Sequence, residues 1–261
     1  MAVKIITSPA NDRIKNIRAL SMRKRRRETG LFVAEGLRTA IEAMELNAPM
    51  HSLLYHTDQA TRADVMRLSH YCMAQGGTVY EVNDSVLEKL SSKDNPQRVM
   101  AVYAQKFAEL ETVKQNVWVA LDQVRDPGNL GTIIRTIDAV GARGVILIDQ
   151  CCDPYSPESV QASMGSIFSV PIIQTTATEF LNWRNAMWHG DVIGTILQTD
   201  LNAQDQVYGA DCLLLMGNEQ AGISDELRKT CTKLVKLPMR GRADSLNLSI
   251  ATGVMLYKVI S

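Results

Sequence analysis

LLLMGNEQAGIS, residues Leu213–Ser224, decides the reading of the fold. An unbroken apolar run from Cys212 to Met216 stops at Gly217, and a polar loop carrying Asn218 and Glu219 leads to a helix start near Ile223. A strand with no polar alternation is buried on both faces, as in parallel sheets covered by helices. Val145–Ile148 (VILI) reads the same way. Gly217 would let a ligand approach bare backbone. The loop would lie at the carboxyl end of the sheet, where such folds bind ligands. Taken alone, the stretch is equally a tight strand-to-helix turn in which Glu219 favours the helix start.

Two further stretches share this layout. DPGNLGTIIR (Asp126–Arg135) follows the apolar strand Trp118–Leu121 and opens a helix over Asn129–Val140, with Leu130, Ile133, Ile134, Ile137 and Val140 on one face. Asn129 is a candidate N-cap. Arg135 falls off the apolar face and is a candidate clamp for phosphate or carboxylate. LPMRGRADSLNLSI (Leu237–Ile250) ends a strand at Leu237 with Pro238, continues as a basic loop, and enters a helix at Ser245, Leu246 and Asn247. Proline stops the strand because it cannot donate to a ladder, and Ser245 is a candidate cap. Each stretch alone also fits an ordinary connection. Together, in a parallel sheet, all three converge on one edge.

Working outward, strands alternate with helices along the whole chain, which implies α/β layering. A helix is predicted over Asn11–Arg27, with strands at Leu31–Ala34, Ser52–Tyr55, Thr78–Val82 and Val99–Ala104. Helices are predicted to about Leu46 and over Gln59–Gln75 and Ser85–Leu90. These make a smaller N-terminal domain, residues 1–104. The polar stretch Gln105–Asn116 reads as a linker, with a short helix as the alternative. Residues 117–261 form the second α/β series. It adds strands at Gly144–Ile148, Val170–Ile173, Asp191–Leu197, Cys212–Met216 and Leu234–Leu237, and helices over Pro157–Met164, Glu179–Trp188 and Leu246–Ile260.

The 28 basic and 28 acidic residues balance, but unevenly. The first 30 residues hold nine Lys/Arg against Asp12 and Glu28, a net +7 on a body of −7. Arg13, Lys15, Arg18, Arg23, Lys24, Arg25, Arg26 and Arg27 make a candidate phosphate-contacting strip, with no opposing charge inside Met22–Arg27. A solvated helix end is the plain alternative. Five cysteines without a CxxC pair and four histidines without ligand spacing suggest neither disulfides nor a metal, and fit a reducing cytoplasm. No apolar run reaches membrane-spanning length, and the start MAVKIITSP lacks a signal-peptide core.

The three stretches in order, DPGNLGTIIRTIDAVGARGVIL, LLLMGNEQAGIS and VKLPMRGRADSLNLSIATGVMLY, resemble the SpoU (TrmH) family of RNA ribose 2′-O-methyltransferases in the SPOUT superfamily. SPANDRIKNIRAL with FVAEGLR (Phe32–Arg38) is similar to the substrate-binding domain many members carry. The resemblance implies a parallel-sheet α/β/α domain with a deep trefoil knot, and S-adenosylmethionine as methyl donor with no metal. It further implies a homodimer with its active site near the subunit interface, away from any membrane. The substrate would be structured RNA, ribosomal rather than transfer RNA. A tRNA ribose methyltransferase and a non-catalytic RNA-binding protein are the alternatives. Carried over residue by residue, Asn129, Arg135, Glu219, Ser245 and Asn247 are the catalytic set. Gly217, Leu237 and Leu246, with Thr195, Leu197, Met216 and Met239, are the cofactor contacts. Arg240 and Arg242 make the third loop unusually basic and join the RNA-binding set. Lys258 and Gln161 depart from the commoner family pattern.

Overall fold

The computed structural model describes residues 3–91 and 94–260. Met1 and Ala2, at the head of the stretch tested for a signal peptide, lie outside the described residues, as do Ser92, Lys93 and Ser261. The chain divides into two compact units, Met1–Gln105 with Tyr155–Phe168, and Lys106–Pro154 with Ser169–Ser261.

The first unit is built on a five-stranded sheet, β1 (Lys4–Ile6), β2 (Leu31–Glu35), β3 (Met50–His56), β4 (Thr78–Val82) and β5 (Val99–Ala104), in the order β1-β4-β3-β5-β2. β1, β4 and β3 run parallel, while β5 is antiparallel to both β3 and β2. Its helices are α1 (Asp12–Ala19), α2 (Arg23–Thr29), α3 (Leu37–Glu45), α4 (Ala63–Ala74) and α5 (Asp84–Leu90), joined by α7 (Pro157–Ser163) from later in the chain. Ile14, Ile17 and Leu20 pack under this sheet with Leu54, Tyr80, Val82, Val86 and Leu87.

Three expectations are corrected here. The single helix over Asn11–Arg27 is two helices, because the chain turns at Leu20–Met22. Arg26 does not face solvent. It is buried, and its guanidinium donates to the Leu20 and Ser21 carbonyls at 2.8 and 2.7 Å, closing that turn. Arg26 therefore leaves the RNA-contacting set. The strip is also less bare than its composition suggests, since Glu28 pairs with Arg25 at 2.8 Å and with Lys24 at 3.9 Å. The short strand β1 has no alternating pattern long enough to be read from sequence.

The second unit is a six-stranded, all-parallel sheet. Its strands are β6 (Val117–Asp122), β7 (Val145–Ile148), β8 (Ile172–Thr175), β9 (Asp191–Thr195), β10 (Cys212–Met216) and β11 (Lys233–Val235), in the order β11-β9-β10-β6-β7-β8. Every residue of β6, β7 and β10 is buried, as their unbroken apolar runs require. The helices are α6 (Pro127–Val140), α8 (Ala177–Met187), α9 (Asp225–Arg228) and α10 (Leu248–Ile260). α8 starts on a full capping box between Thr176 and Glu179.

The segment expected to be a linker is packed. Leu110 and Val113 are buried in the same cluster as Trp118, Phe180 and Trp183, and the Ala108 amide donates to the Ile172 carbonyl at 2.8 Å. Residues Tyr155–Phe168, expected within the second series, belong to the first unit instead. The reason is aromatic: Phe32 lies 4.6 Å from Tyr155 and Tyr103 lies 4.7 Å from Phe168, centroid to centroid.

Candidate active site

The second unit carries the site at the carboxyl ends of β6 and β10, which pair Leu121 with Met216. α6 begins directly after β6. Its N-cap is Asp126, whose carboxylate accepts from the Asn129 amide at 2.6 Å, and Pro127 occupies the first turn. Asn129 is thus not the cap, as its position in sequence suggested. Its side chain is left for other work.

That work is to join the three stretches. The Asn129 Nδ2 donates to the Glu219 carboxylate at 3.2 Å, and the Asn247 Nδ2 donates to Asn129 Oδ1 at 2.9 Å. One side chain from each loop therefore meets in a single chain of hydrogen bonds. The Arg125 amide adds a weaker contact to the other Glu219 oxygen at 3.5 Å. Around them lies an open cleft of about 420 Å³, lined by Arg125, Asp126, Asn129, Asn218, Glu219, Gln220 and Asn247. Arg125 and Gln220 were not singled out from sequence. Arg125 stands one residue before the quoted motif, and its charge beside Asp126 is the signal that marks it.

The third stretch is anchored by Asn247 rather than Ser245. Asn247 Oδ1 accepts from the Ser249 amide at 2.9 Å and the Ser249 hydroxyl at 2.6 Å, capping α10. Ser245 is exposed and donates at 3.4 Å to its neighbour Asp244. Arg135 is exposed on α6. Among the described residues, neither Ser245 nor Arg135 bonds into the Asn129 cluster. Arg240 and Arg242 stand exposed on the loop after β11.

Some of the candidate cofactor contacts lie at or just past the ends of neighbouring strands. β11 pairs Val235 with Thr195, and the Ile196 amide donates to the Val235 carbonyl at 2.9 Å. The chain then runs on through Leu237 and Met239, both half-buried. Thr195 Oγ1 is buried with no hydrogen-bond partner among the described residues. A buried hydroxyl in that state suits a ligand's polar atom. Leu197 is 64% exposed and Leu246 41%, large apolar side chains facing solvent at a strand end and a helix entry. Exposed apolar side chains and a spare buried hydroxyl are the kind of groups that suit a nucleoside-bearing donor such as S-adenosylmethionine. Met216 is buried in the sheet, so its contribution would be through its backbone. Gly217 is explained by the chain itself. A Cβ there would fall 2.1 Å from the Gly222 carbonyl carbon, so the residue is glycine because its own loop closes against it. No group of His, Cys, Asp and Glu arranged to hold a metal ion occurs among the described residues.

Residues 116–257 match the SpoU rRNA Methylase family. The chain belongs to that family. Residues 11–101 match the MRM3-like substrate binding domain. Among relatives of this SpoU chain, the 23S rRNA (uridine(2479)-2′-O)-methyltransferase of Streptomyces viridochromogenes is 31% identical over 99% of the chain and 92% of the relative. The 23S rRNA (guanosine(2553)-2′-O)-methyltransferase of Bacillus subtilis is 27% identical over 98% of both. Among solved structures, the AdoMet-bound rRNA methyltransferase from Sinorhizobium meliloti superposes with a TM-score of 0.92 at 42% identity, covering 98% of this chain and 97% of that one.

Proposed function

We propose that the protein transfers a methyl group from S-adenosylmethionine to a ribose 2′-hydroxyl of ribosomal RNA. The observation that carries this reading is the hydrogen-bonded chain Asn247–Asn129–Glu219, which draws the three family motifs into one cleft. Bound S-adenosylmethionine supplies a methyl on a sulfonium, already activated for transfer. The residues then have to orient the ribose and stabilise charge on its oxygen. Thr195, Leu197, Leu237, Met239 and Leu246, with the backbone at Met216 and Gly217, would hold the donor. Asn129, Glu219 and Asn247 form a rigid polar floor for the ribose. Arg135 supplies the cation that stabilises the developing alkoxide and holds the adjacent phosphate. It acts as an electrostatic group and not as a base, since a guanidinium holds its proton too tightly to take another group's. Ser245, two residues before Asn247, would be a further ribose contact.

The substrate-binding role falls to the first unit, whose exposed Arg13, Lys15, Arg18, Arg23, Lys24 and Arg27, with half-exposed Arg25, would contact RNA phosphates. Arg240 and Arg242, exposed on the loop after β11, would add phosphate contacts from the second unit. A second copy of the chain would cover α10. Leu246 before it and Ile250, Val254, Tyr257 and Ile260 along it are 41%, 54%, 43%, 66% and 41% exposed, an apolar stripe at helical spacing. No helix among the described residues is long and apolar enough to cross a membrane. The five free cysteines suit the cytoplasm. The deciding experiment maps 2′-O-methyl sites in total RNA from cells with and without the protein. One ribosomal site should vanish with it. Loss of a tRNA site would redirect the substrate, and an unchanged map would end the methyltransferase reading.

A further inference from the structure

The loop that carries Glu219 is held in place by residues outside the proposed catalytic set. The loop from Asn218 to Gly222 closes on itself through paired backbone bonds, Asn218 N–H to Gly222 O at 3.0 Å and Gly222 N–H to Asn218 O at 2.9 Å. Inside it, Asn218 Oδ1 accepts from the Gln220 and Ala221 amides at 2.9 and 3.1 Å. The other end of the same amide group leaves the loop. Asn218 Nδ2 donates to the Gln123 carbonyl, at the end of β6, at 2.8 Å. Gln123 has φ +52°, an uncommon backbone region for a residue with a side chain. The end of β6 and the residue after it thus hold the chain on both sides of the loop, because the buried Asp122 accepts from the amide of Ser224, two residues past Gly222, at 2.7 Å.

We infer that Asn218 is a positioning residue of the methyl-transfer site. It tethers the Glu219 loop to β6, so that the carboxylate is presented to Asn129 in one geometry. Both functions of the amide are needed at once: its oxygen shapes the loop and its nitrogen ties the loop down. An aspartate would keep the first and lose the second, placing a carboxylate oxygen against the Gln123 carbonyl. The inference rests on the methyltransferase reading, and the test separates the two.

The full-length protein would be assayed with labelled S-adenosylmethionine and ribosomal RNA from cells lacking it, as wild type, N218D, N218A, E219A and N218A/E219A. Amide hydrogen exchange across residues 218–224 would be followed on the same proteins without donor or RNA. For N218D, kcat should fall at least tenfold, with the KM for RNA and the donor affinity within about threefold. Exchange should rise in the loop alone. Because Asn218 acts through Glu219, the double variant should be no slower than E219A within about twofold. Losses that multiply would overturn the inference, as would N218D turning over like wild type. If N218A unfolds, N218D carries the comparison, since it retains the loop's internal bonds. A wild type that methylates no RNA sinks the proposed function. The tether itself would then stand or fall on the exchange data, where unchanged loop protection in N218D overturns it.

Discussion

Asn247 donates its side-chain amide to Asn129 across 118 residues of sequence, at 2.9 Å, while its oxygen caps α10. One residue therefore starts the last helix and ties it to the first turn of α6. Asn247→Asp keeps the capping oxygen but loses the donor to Asn129. It should leave thermal stability nearly intact and lower kcat at least tenfold. Asn247→Ala should lose the same activity and also about 1 kcal/mol of stability, the usual worth of a cap. Calorimetric melting beside the methylation assay checks the pair, and equal activity of Asn247→Asp and wild type would dismiss the Asn129 contact.

Arg135 stands apart from that chain of bonds, exposed on α6. Arg135→Ala should abolish turnover and leave donor binding by titration calorimetry within about twofold. Arg135→Lys should recover little, because an ammonium does not reproduce the bidentate fork. Normal methylation by the alanine variant removes Arg135 from the reaction.

The basic segment divides by burial. Arg26→Ala removes two bonds that close the turn between α1 and α2 and should cost about 2 kcal/mol, read by urea denaturation. Arg23→Ala and Arg27→Ala should leave stability within about 0.5 kcal/mol. Each should instead flatten the dependence of RNA affinity on salt, by roughly 0.7–0.9 in the log–log slope per lost phosphate contact. A slope unmoved by both would show that RNA binds elsewhere.

Burial holds the cysteine thiols neutral. Cys151 and Cys231 are pushed up to about 11, and Cys152 and Cys212 to about 12, from an ordinary 9.0. For Cys152 the neighbouring Cys151, Glu219 and Asp126 add to the desolvation. Native protein should therefore resist iodoacetamide at pH 8, while the unfolded chain reacts at all five positions. These raised values contribute stability that is complete below pH 9 and lost progressively as the pH climbs from 9 to 11 or 12, since over that interval the unfolded thiols ionise while the folded ones stay protonated. Melting temperature across pH 8 to 11 should fall accordingly, and a flat profile would contradict it.

The α10 stripe gives a further check. Ile250→Glu with Tyr257→Glu should convert a dimer to monomer in sedimentation velocity, at unchanged helix content. A wild type that sediments as a monomer at micromolar concentration would rule out the dimer.

Much of the catalytic unit was legible because its central strands are apolar runs, with β7 and β10 carrying no polar residue at all. β10 was read to the residue, and α6 nearly so, from the apolar spacing of Leu130 to Ile137. Caps were misplaced by a few positions. Asp126 and Asn247 took the roles read onto Asn129 and Ser245, because both members of each pair are good caps and only geometry chooses between them. Arg26 was misread for a different reason. A basic run looks alike at every position, and nothing in its spacing tells which arginine turns inward. Leu110 and Val113, two anchors in a polar stretch, were too sparse to show a period, yet they fill the core beside Trp118. A knotted path is expected from the family resemblance alone, since hydrophobic period carries no trace of threading.

The aromatic cluster of the first unit has a consequence for how the protein is made. Phe32 and Tyr103 lie early in the chain, but their partners Tyr155 and Phe168 are translated some fifty residues after the last strand of that sheet. The nascent N-terminal unit leaves the ribosome with an open aromatic seam. It stays exposed until the start of the catalytic sheet has also been synthesised, so a chain cut short between the two would emerge sticky rather than finished.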